Sequence, residues 1–441
     1  MPHALVLMKA HIITFGCRSN QCDSRWIAES LFKVGYEMVE DAAQADVLIV
    51  NTCTVTAEGE RQGRQAIRRA RRDNPNTIVI ATGCAVQAEP ASFLSMPEID
   101  YVADLQTRSK ISEFVQGLGL RVSPTLLSAT GETGYCGFFS NPSDDAVYEH
   151  ARVPLKIQDG CNNACAYCIV HKVRGPSRSM PPEDVFRHLE ALGKAGVREV
   201  VFTGIHLGGW GRDLDPARNL ESLIRRAVMR RLVERIRISS IDPAELSGEL
   251  LDLLAAGEGL CPHVHLPLQS ADDEILNAMG RKYKVHDAAV RIRLLKQAVP
   301  HAAVGLDIIV GFPGETDKHF ERGIRHLREI PFDYIHVFPF SSRPGTPAAQ
   351  MEGQLDADTI RQRCSRLHKM SAQRRREFWE KSLGSIRSVI IEYKTGDERW
   401  FGHTDNYIPI LLPPGPNKPG DLVAVGLYEL EDSGVRGDII R

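Results

Sequence analysis

Three short apolar runs open the chain: HIITF at 11–15, DVLIVN at 46–51 and TIVIAT at 77–82. Each is hydrophobic at consecutive positions rather than alternate ones, the pattern of a strand buried on both faces. Helix-compatible stretches follow, one near 21–34 and a charged one around 60–72. Strand and helix in alternation predict an α/β unit with a doubly wound parallel sheet, whose strands end along one ligand-binding edge. Cys17, Cys53 and Cys84 fall one or two residues past the three runs. This topology therefore carries three thiols, distant in sequence, to one edge. A single free cysteine is commonly just a small core residue. Three at equivalent positions read as a shared metal site. Cys22 competes as a ligand, but it falls inside the helix after the loop, so Cys17 is preferred.

The pattern changes twice further on. From about 150 to 370, EVVFTG, RIRISSI, CPHVHLPL, VGLDIIVGF and DYIHVFPF recur between amphipathic helical stretches. That is an α/β barrel pattern, with ligands expected at the carboxyl ends of strands, where Thr203 and Gly204 lie. After a basic helix, RQRCSRLHKMSAQRRREFWEK (361–381), short strands separated by turns predict a small β-barrel. The polar stretch 123–146 reads as a linker, and Cys136 within it as incidental. The expected organisation is a cluster-binding domain at 1–122, a linker at 123–149, a barrel domain at 150–374 and the small β-barrel at 375–441.

Composition adds exclusions. The 441 residues carry a formal net charge of -2, so any nucleic-acid surface must be local. No apolar run approaches the roughly 20 residues of a membrane span. The first residues lack a small-residue cleavage site, and Met8 is an alternative start. Ten cysteines without a secretory signal point to reduced thiols and a cytoplasmic protein. Three of them, Cys161, Cys165 and Cys168, crowd into IQDGCNNACAYCIVH (157–171). Such closely spaced thiolates are soft ligands for zinc or an iron–sulfur cluster. One reading closes a Cys3His zinc site with His171. The other leaves one iron of a cluster open to a substrate, which suits a barrel scaffold better than a zinc knuckle does.

The C-x3-C-x2-C spacing, with Tyr167 before the last cysteine, resembles the signature of radical S-adenosylmethionine (SAM) enzymes. TFGCRSNQCDS, NTCTVT and GCAVQ resemble the N-terminal domain of the methylthiotransferases, and FTGIHLGGWG, HVHLPLQS, IIVGFPGET and HVFPFSSRPGTPA extend the likeness. KIQDGC with TGIHLGGWG and HVFPFS resembles the branch acting on N6-threonylcarbamoyladenosine of tRNA more than those acting on isopentenyladenosine or a ribosomal protein. His171, Arg25 and Ala271 depart from the usual proline, glutamate and glycine.

The resemblance implies that the central barrel is a partial, open (β/α) barrel of radical SAM type, and it implies two 4Fe–4S clusters, one on Cys161, Cys165 and Cys168 and one on Cys17, Cys53 and Cys84. It implies SAM on the open iron, with Tyr167, Thr203 and Gly204 as cofactor-binding candidates. A 5′-deoxyadenosyl radical would take hydrogen from C2 of the modified adenosine at position 37, 3′ of the anticodon, and the second cluster would deliver methylated sulfur. The implied partners are tRNA and a reductant protein or small-molecule electron donor, with no membrane and a monomer as the expectation. The tail resembles a TRAM domain, where Trp400, Phe401 and Tyr407 are either RNA contacts or core. Arg61, Arg64, Arg68 and Arg72 share a helix face that is either solvated or phosphate-binding. A zinc-stabilised RNA-binding scaffold without catalysis is the alternative of another class.

Overall fold

The computed structural model describes residues 8–117, the backbone of a strand at 125–126, and residues 151–440. Residues 1–7, most of the expected linker and Cys136 lie outside the described residues. The first sheet is parallel throughout. Its strands are β1 (Lys9–Thr14), β2 (Glu37–Met38), β3 (Val47–Thr52), β4 (Ile78–Gly83), β5 (Tyr101–Val102) and β6 (Thr125–Leu126), in the order β2-β1-β3-β4-β5-β6. β6 comes from the stretch read as linker. Helix α1 (Arg18–Lys33) covers one face, where Ile27 and Leu31 share a core with Val47, Ile49 and Ile80. Helix α2 (Ala57–Asp73) covers the other, where Ile67 and Ala70 join Leu48, Val50, Val79 and Ala81. Neighbouring residues of β3 thus serve opposite cores, which is why the run is apolar without alternation. The strand order reverses between β1 and β3, the place where open α/β sheets bind ligands.

The second unit begins with β7 (Arg152–Lys156) and a short antiparallel pair, β8 (Gln158–Asp159) and β9 (Arg178–Ser179), flanking the helical turn Val170–Arg174. β10 (Glu199–Thr203) pairs in parallel with β7 and with β11 (Arg235–Ile238). β12 (His263–Gln269), β13 (Ala303–Val310) and β14 (Tyr334–Pro339) form a second parallel set, joined to β11 by the bridges Ile236↔Leu260 and Ser240↔His265. The result is an open barrel of six parallel strands. Val200, Phe202, Ile236, Val264, Leu266, Val304 and Leu306 face the surrounding helices in one large core. The alternate residues Arg152, Glu199, Arg235, Arg237, His263, His265, Asp307 and Tyr334 face inward and are polar. The edges β7 and β14 are bridged by the first sheet's unit. The Cys22 thiol lies 3.5 Å from the Pro154 carbonyl, and Arg343, beyond β14, donates to Thr54 Oγ1 at 3.0 Å and pairs with Glu60.

Helix α3 (Ala357–Ser382) runs unbroken across residue 375, where the sequence suggested a boundary. It leads into β15 (Ile386–Lys394), β16 (Trp400–Thr404), β17 (Pro409–Leu412), β18 (Leu422–Glu431) and β19 (Gly434–Ile439), closed in the order β15-β16-β17-β19-β18. This small barrel caps the starting ends of the parallel strands. Glu199 accepts from Arg235 Nε at 2.6 Å and Arg237 Nε at 2.7 Å, while the same arginines donate to the carbonyls of Ser388, Thr404 and Asp405. Burial would raise the Glu199 carboxyl, but the two arginines outweigh it and hold the group ionised. Tyr407 adopts φ +69 and stacks on His263 at 4.5 Å. No helix among the described residues is long and apolar enough to cross a membrane.

Glu199→Gln strands two buried arginines and should cost about 3–5 kcal/mol in urea unfolding. Adding Arg235→Met and Arg237→Met should recover much of that loss, and a further loss in the triple variant would contradict the ion-pair account.

Candidate active site at the junction of the two α/β units

The segment carrying Cys161, Cys165 and Cys168 is a loop pinned from several sides. Cys161 N–H donates to the Gly175 carbonyl at 3.0 Å, and Ala166 N–H to that of Met279 at 2.9 Å. The thiols themselves accept hydrogen bonds. Asn163 N–H reaches Cys161 Sγ at 3.4 Å and Arg281 reaches Cys165 Sγ at 3.4 Å. Burial pushes the Cys168 thiol up to about 11, against backbone N–H groups of Val170 and His171 that favour its thiolate. His206 is pushed up to about 10 by its hydrogen bond to Cys161 and its pairing with Glu245 at 2.9 Å. Gln158 ties the loop down: its amide donates to the Asp159 and Gly160 carbonyls, and its oxygen accepts from His206 N–H at 2.7 Å. A Cβ on Gly204 would lie 2.8 Å from that Gln158 oxygen, so only glycine fits where β10 ends. The Thr203 hydroxyl turns back to the Val201 carbonyl at 3.2 Å. Tyr167 packs against the apolar cluster of Ala166, Ile275, Met279, Phe312 and Ala348, and burial raises its hydroxyl well above the usual range.

Cys17, Cys53 and Cys84 follow β1, β3 and β4 onto the edge of the first sheet. Gly16, at φ +93, brings its loop so close to Cys53 that a Cβ would sit 2.6 Å from the sulfur. Burial raises the Cys53 and Cys84 thiols, Cys84 to about 11, and a thiolate at Cys17 would raise both further. The three sulfurs therefore feel one another. Cys22 faces the other way, toward Pro154, and burial holds it protonated at about 11.

Arg174, six residues after Cys168, joins the two sets. Its Nε donates to Cys84 Sγ at 3.3 Å, Nη2 to Asn20 Oδ1 at 2.6 Å and Asp23 at 2.9 Å, and Nη1 to Asp159 at 3.0 Å. Lys156 pairs with Asp23 and Asp159, and Arg108 with Asp23. Burial opposes ionisation of Asp23 and Asp159, but the cations prevail and hold both carboxyls below the usual range. Sequence reading missed Arg174, Gln158, His206 and Arg281. Nothing in their spacing distinguishes them, because their partners come from other strands.

The donor sets suit clusters better than a single ion. A zinc ion with 2.3 Å bonds holds its sulfurs about 3.8 Å apart. Among the described residues, the group of histidines, cysteines and carboxylates with ligand atoms all within 4.8 Å is His265, Asp307 and His336, and neither cysteine set qualifies. Each iron of a 4Fe–4S cube takes one cysteine, so three thiolates hold a cluster and leave one iron open. The fit extends to charge. Arg174 and Arg343 both favour a Cys53 thiolate, and Arg174 favours one at Cys84.

A radical SAM superfamily model matches residues 155–327, and one described as uncharacterized protein family UPF0004 matches residues 9–104. The threonylcarbamoyladenosine tRNA methylthiotransferase MtaB of Bacillus subtilis (strain 168) is 35% identical over 432 residues, 97% of this chain and 95% of that protein. The chain belongs to the radical SAM methylthiotransferase family. A second member, the tRNA-2-methylthio-N(6)-dimethylallyladenosine synthase of Clostridium novyi (strain NT), is 31% identical, with 97% and 96% covered. The fold extends further: TsrM, a radical SAM methyltransferase from Kitasatospora setae, superposes with a TM-score of 0.56 at 17% identity, covering 78% of this chain and 76% of that one. Methylthiotransferases of this family use two 4Fe–4S clusters and SAM, so the zinc-scaffold alternative is set aside.

The basic helix face divides. Arg64 is turned inward, bonded to Glu60 and Ser92 and lying 4.3 Å over Phe93, whereas Arg68 and Arg72 are 59% and 74% exposed. Trp400 belongs to the small barrel's core and Tyr407 to the His263 stack, leaving Phe401, stacked on exposed Tyr393 at 4.9 Å, as the surface aromatic.

Arg174→Gln should lower stability by about 3–5 kcal/mol, because Asp23 and Asp159 lose a buried cation. Asp23→Asn should cost less in that background than in the wild type in a double-mutant cycle, whereas strict additivity would show that the two groups are not coupled.

Proposed function

We propose that this chain inserts a methylthio group at C2 of N6-threonylcarbamoyladenosine, at position 37 of tRNA. Cys161, Cys165 and Cys168 hold the cluster that binds SAM, and Cys17, Cys53 and Cys84 hold the second. The observation that supports the reading is that Arg174, six residues after Cys168 on the helical turn that follows the loop, donates to Cys84 Sγ at 3.3 Å. When bound, the two clusters and SAM supply a 5′-deoxyadenosyl radical able to take hydrogen from C2 and the methylated sulfur that replaces it.

The chain's own residues hold and orient. Gly204 keeps the end of β10 open, with Thr203, for the SAM amino group, and Tyr167 braces the loop from its apolar pocket. Arg281, anchored on Asp242, and His206, on Glu245, present N–H donors to Cys165 and Cys161. Arg68 and Arg72, with the Tyr393–Phe401 pair, are suited to tRNA phosphates and an unstacked base. The electron comes from a reductant protein or a small-molecule donor, and the enzyme works as a monomer in the cytoplasm.

Anaerobically reconstituted protein should hold about eight irons, and the alanine triple variant at Cys161, Cys165 and Cys168 about four. Loss of all iron in that folded variant would contradict two separate sites. Cys53→Ala should end methylthiolation yet retain reductive cleavage of SAM, while Cys165→Ala loses both. Identical behaviour of the two, with the central cluster loaded, would refute this division. Nucleoside analysis after reaction should show threonylcarbamoyl-modified tRNA converted and isopentenyladenosine tRNA untouched. The reverse would reassign the substrate within the family. Truncation after Ser382 and Arg68→Glu should each weaken tRNA binding in a salt-dependent way, and unchanged affinity would remove those surfaces.

A further inference from the structure

Three neighbouring strands of the open barrel bring a further group of ligand-type side chains together, besides the two cysteine sets. In the parallel register Asp307 on β13 pairs with His336 on β14, and His265 on β12 pairs with Gly305, two residues before Asp307. The two-residue period of a strand then puts His265, Asp307 and His336 on one face. Their donor atoms all lie within 4.8 Å of one another. His265 Nε2 is 2.7 Å and His336 Nδ1 3.5 Å from the same oxygen, Asp307 Oδ1, and the two imidazole centres are 4.8 Å apart. Bonds of about 2.0–2.2 Å to one ion would set such atoms about 2.9–3.4 Å apart. Three strand backbones therefore hold the group within small side-chain adjustments of a coordination sphere.

The surroundings fit an ion better than a plain hydrogen-bonded cluster. Three other buried carboxylates each hold a fixed cation: Glu199 has Arg235 and Arg237, Glu315 has Arg363, and Asp333 has Lys296. Asp307, with its side chain 18% exposed, has no arginine or lysine within ion-pair distance among the described residues, only the two histidines. Neutral imidazoles leave its charge uncompensated, and a divalent ion would compensate it. His265 is also braced in the way of a metal-bound histidine. It is buried, and its other nitrogen, Nδ1, meets the Tyr334 hydroxyl at 3.3 Å, which in turn meets His263 Nε2 at 2.7 Å. Gly305 leaves the room that Tyr334 takes, since a Cβ there would collide with the phenol ring. His336, by contrast, is 51% exposed, so one side of the group is open to solvent.

We propose that His265, Asp307 and His336 form a mononuclear site for one divalent first-row transition ion, separate from the two iron–sulfur clusters. Two imidazoles and a carboxylate are borderline ligands that suit zinc or ferrous iron, whereas the thiolates of the cysteine sets suit clusters. Three protein ligands leave coordination positions free on the exposed side, for water or another oxygen donor. That is the ligand count of a site that binds and polarises, not of one that only braces a fold. The inference is independent of which modified adenosine the enzyme accepts.

The test is an anaerobic Zn2+ titration of holoenzyme, with bound zinc and iron counted by mass spectrometry after gel filtration. Wild type should take up one zinc with a Kd of about 1 μM or tighter while keeping its iron. His336→Ala, a change at an exposed side chain, and Asp307→Asn should each weaken uptake about a hundredfold or more, and Tyr334→Phe about tenfold. His368→Ala, at an exposed position on α3, should change nothing. Co2+ added to the oxidised holoenzyme should give a high-spin EPR signal that disappears with His336→Ala. Unchanged iron content and circular dichroism establish that each variant is folded and loaded. Zinc uptake undiminished in either His336→Ala or Asp307→Asn would overturn the inference, and so would no uptake by wild type at micromolar concentration. Zinc gained only as iron is lost would place it on the cysteines, and an equal loss in His368→Ala would mark surface binding; each overturns the inference as well.

Discussion

Four buried charges, Asp23, Lys156, Asp159 and Arg174, and the partly buried Arg108 sit where the first sheet meets the open barrel. Three cations face two carboxylates, leaving a surplus positive charge beside the Cys84 thiol. Ion pairs this deep contribute little net stability over well-packed apolar groups. What they do supply is registry. An apolar junction would tolerate sliding, but Arg174 satisfies Asn20, Asp23, Asp159 and Cys84 in one orientation of the two units only. The surplus charge also favours the thiolates that an anionic cluster requires.

The same unit that brings the second cysteine set also closes the barrel's open side. With β7 and β14 bridged by residues around Cys22, Thr54 and Glu60, and the starting ends sealed by the small barrel, access is left at the carboxyl ends of the strands. The inward faces of the barrel strands carry Arg152, Glu199, Arg235, Arg237, His263, His265, Asp307 and Tyr334, unlike the packed apolar layers that fill closed barrels.

Much of this was legible in the sequence. The apolar runs before Cys17, Cys53 and Cys84 specify a parallel sheet by hydrophobicity alone, and sheet topology then gathers the cysteines at one edge. The C-x3-C-x2-C loop needed only local spacing. Long-range partnerships were hidden. Arg174 reads as one more charge in HKVRG, and Arg64 as part of an exposed basic face, although Glu60, Ser92 and Phe93 draw it inward. Tyr407 read equally as an RNA contact or as core, because an aromatic in a turn gives no sign that His263 lies beneath it. The helix Ala357–Ser382 runs through the expected boundary at 375, since helical periodicity continues through a change of unit when the helix itself is the connection.

The central claim is that the two cysteine sets hold clusters facing one another across one junction. EPR spectroscopy of the fully loaded, reduced protein tests it most directly. Two paramagnetic clusters held together at the Arg174 junction should give magnetic coupling, seen as broadening and faster relaxation absent from variants loaded at either site alone. A spectrum equal to the sum of the two singly loaded variants would mean that the clusters are far apart, and would contradict the account.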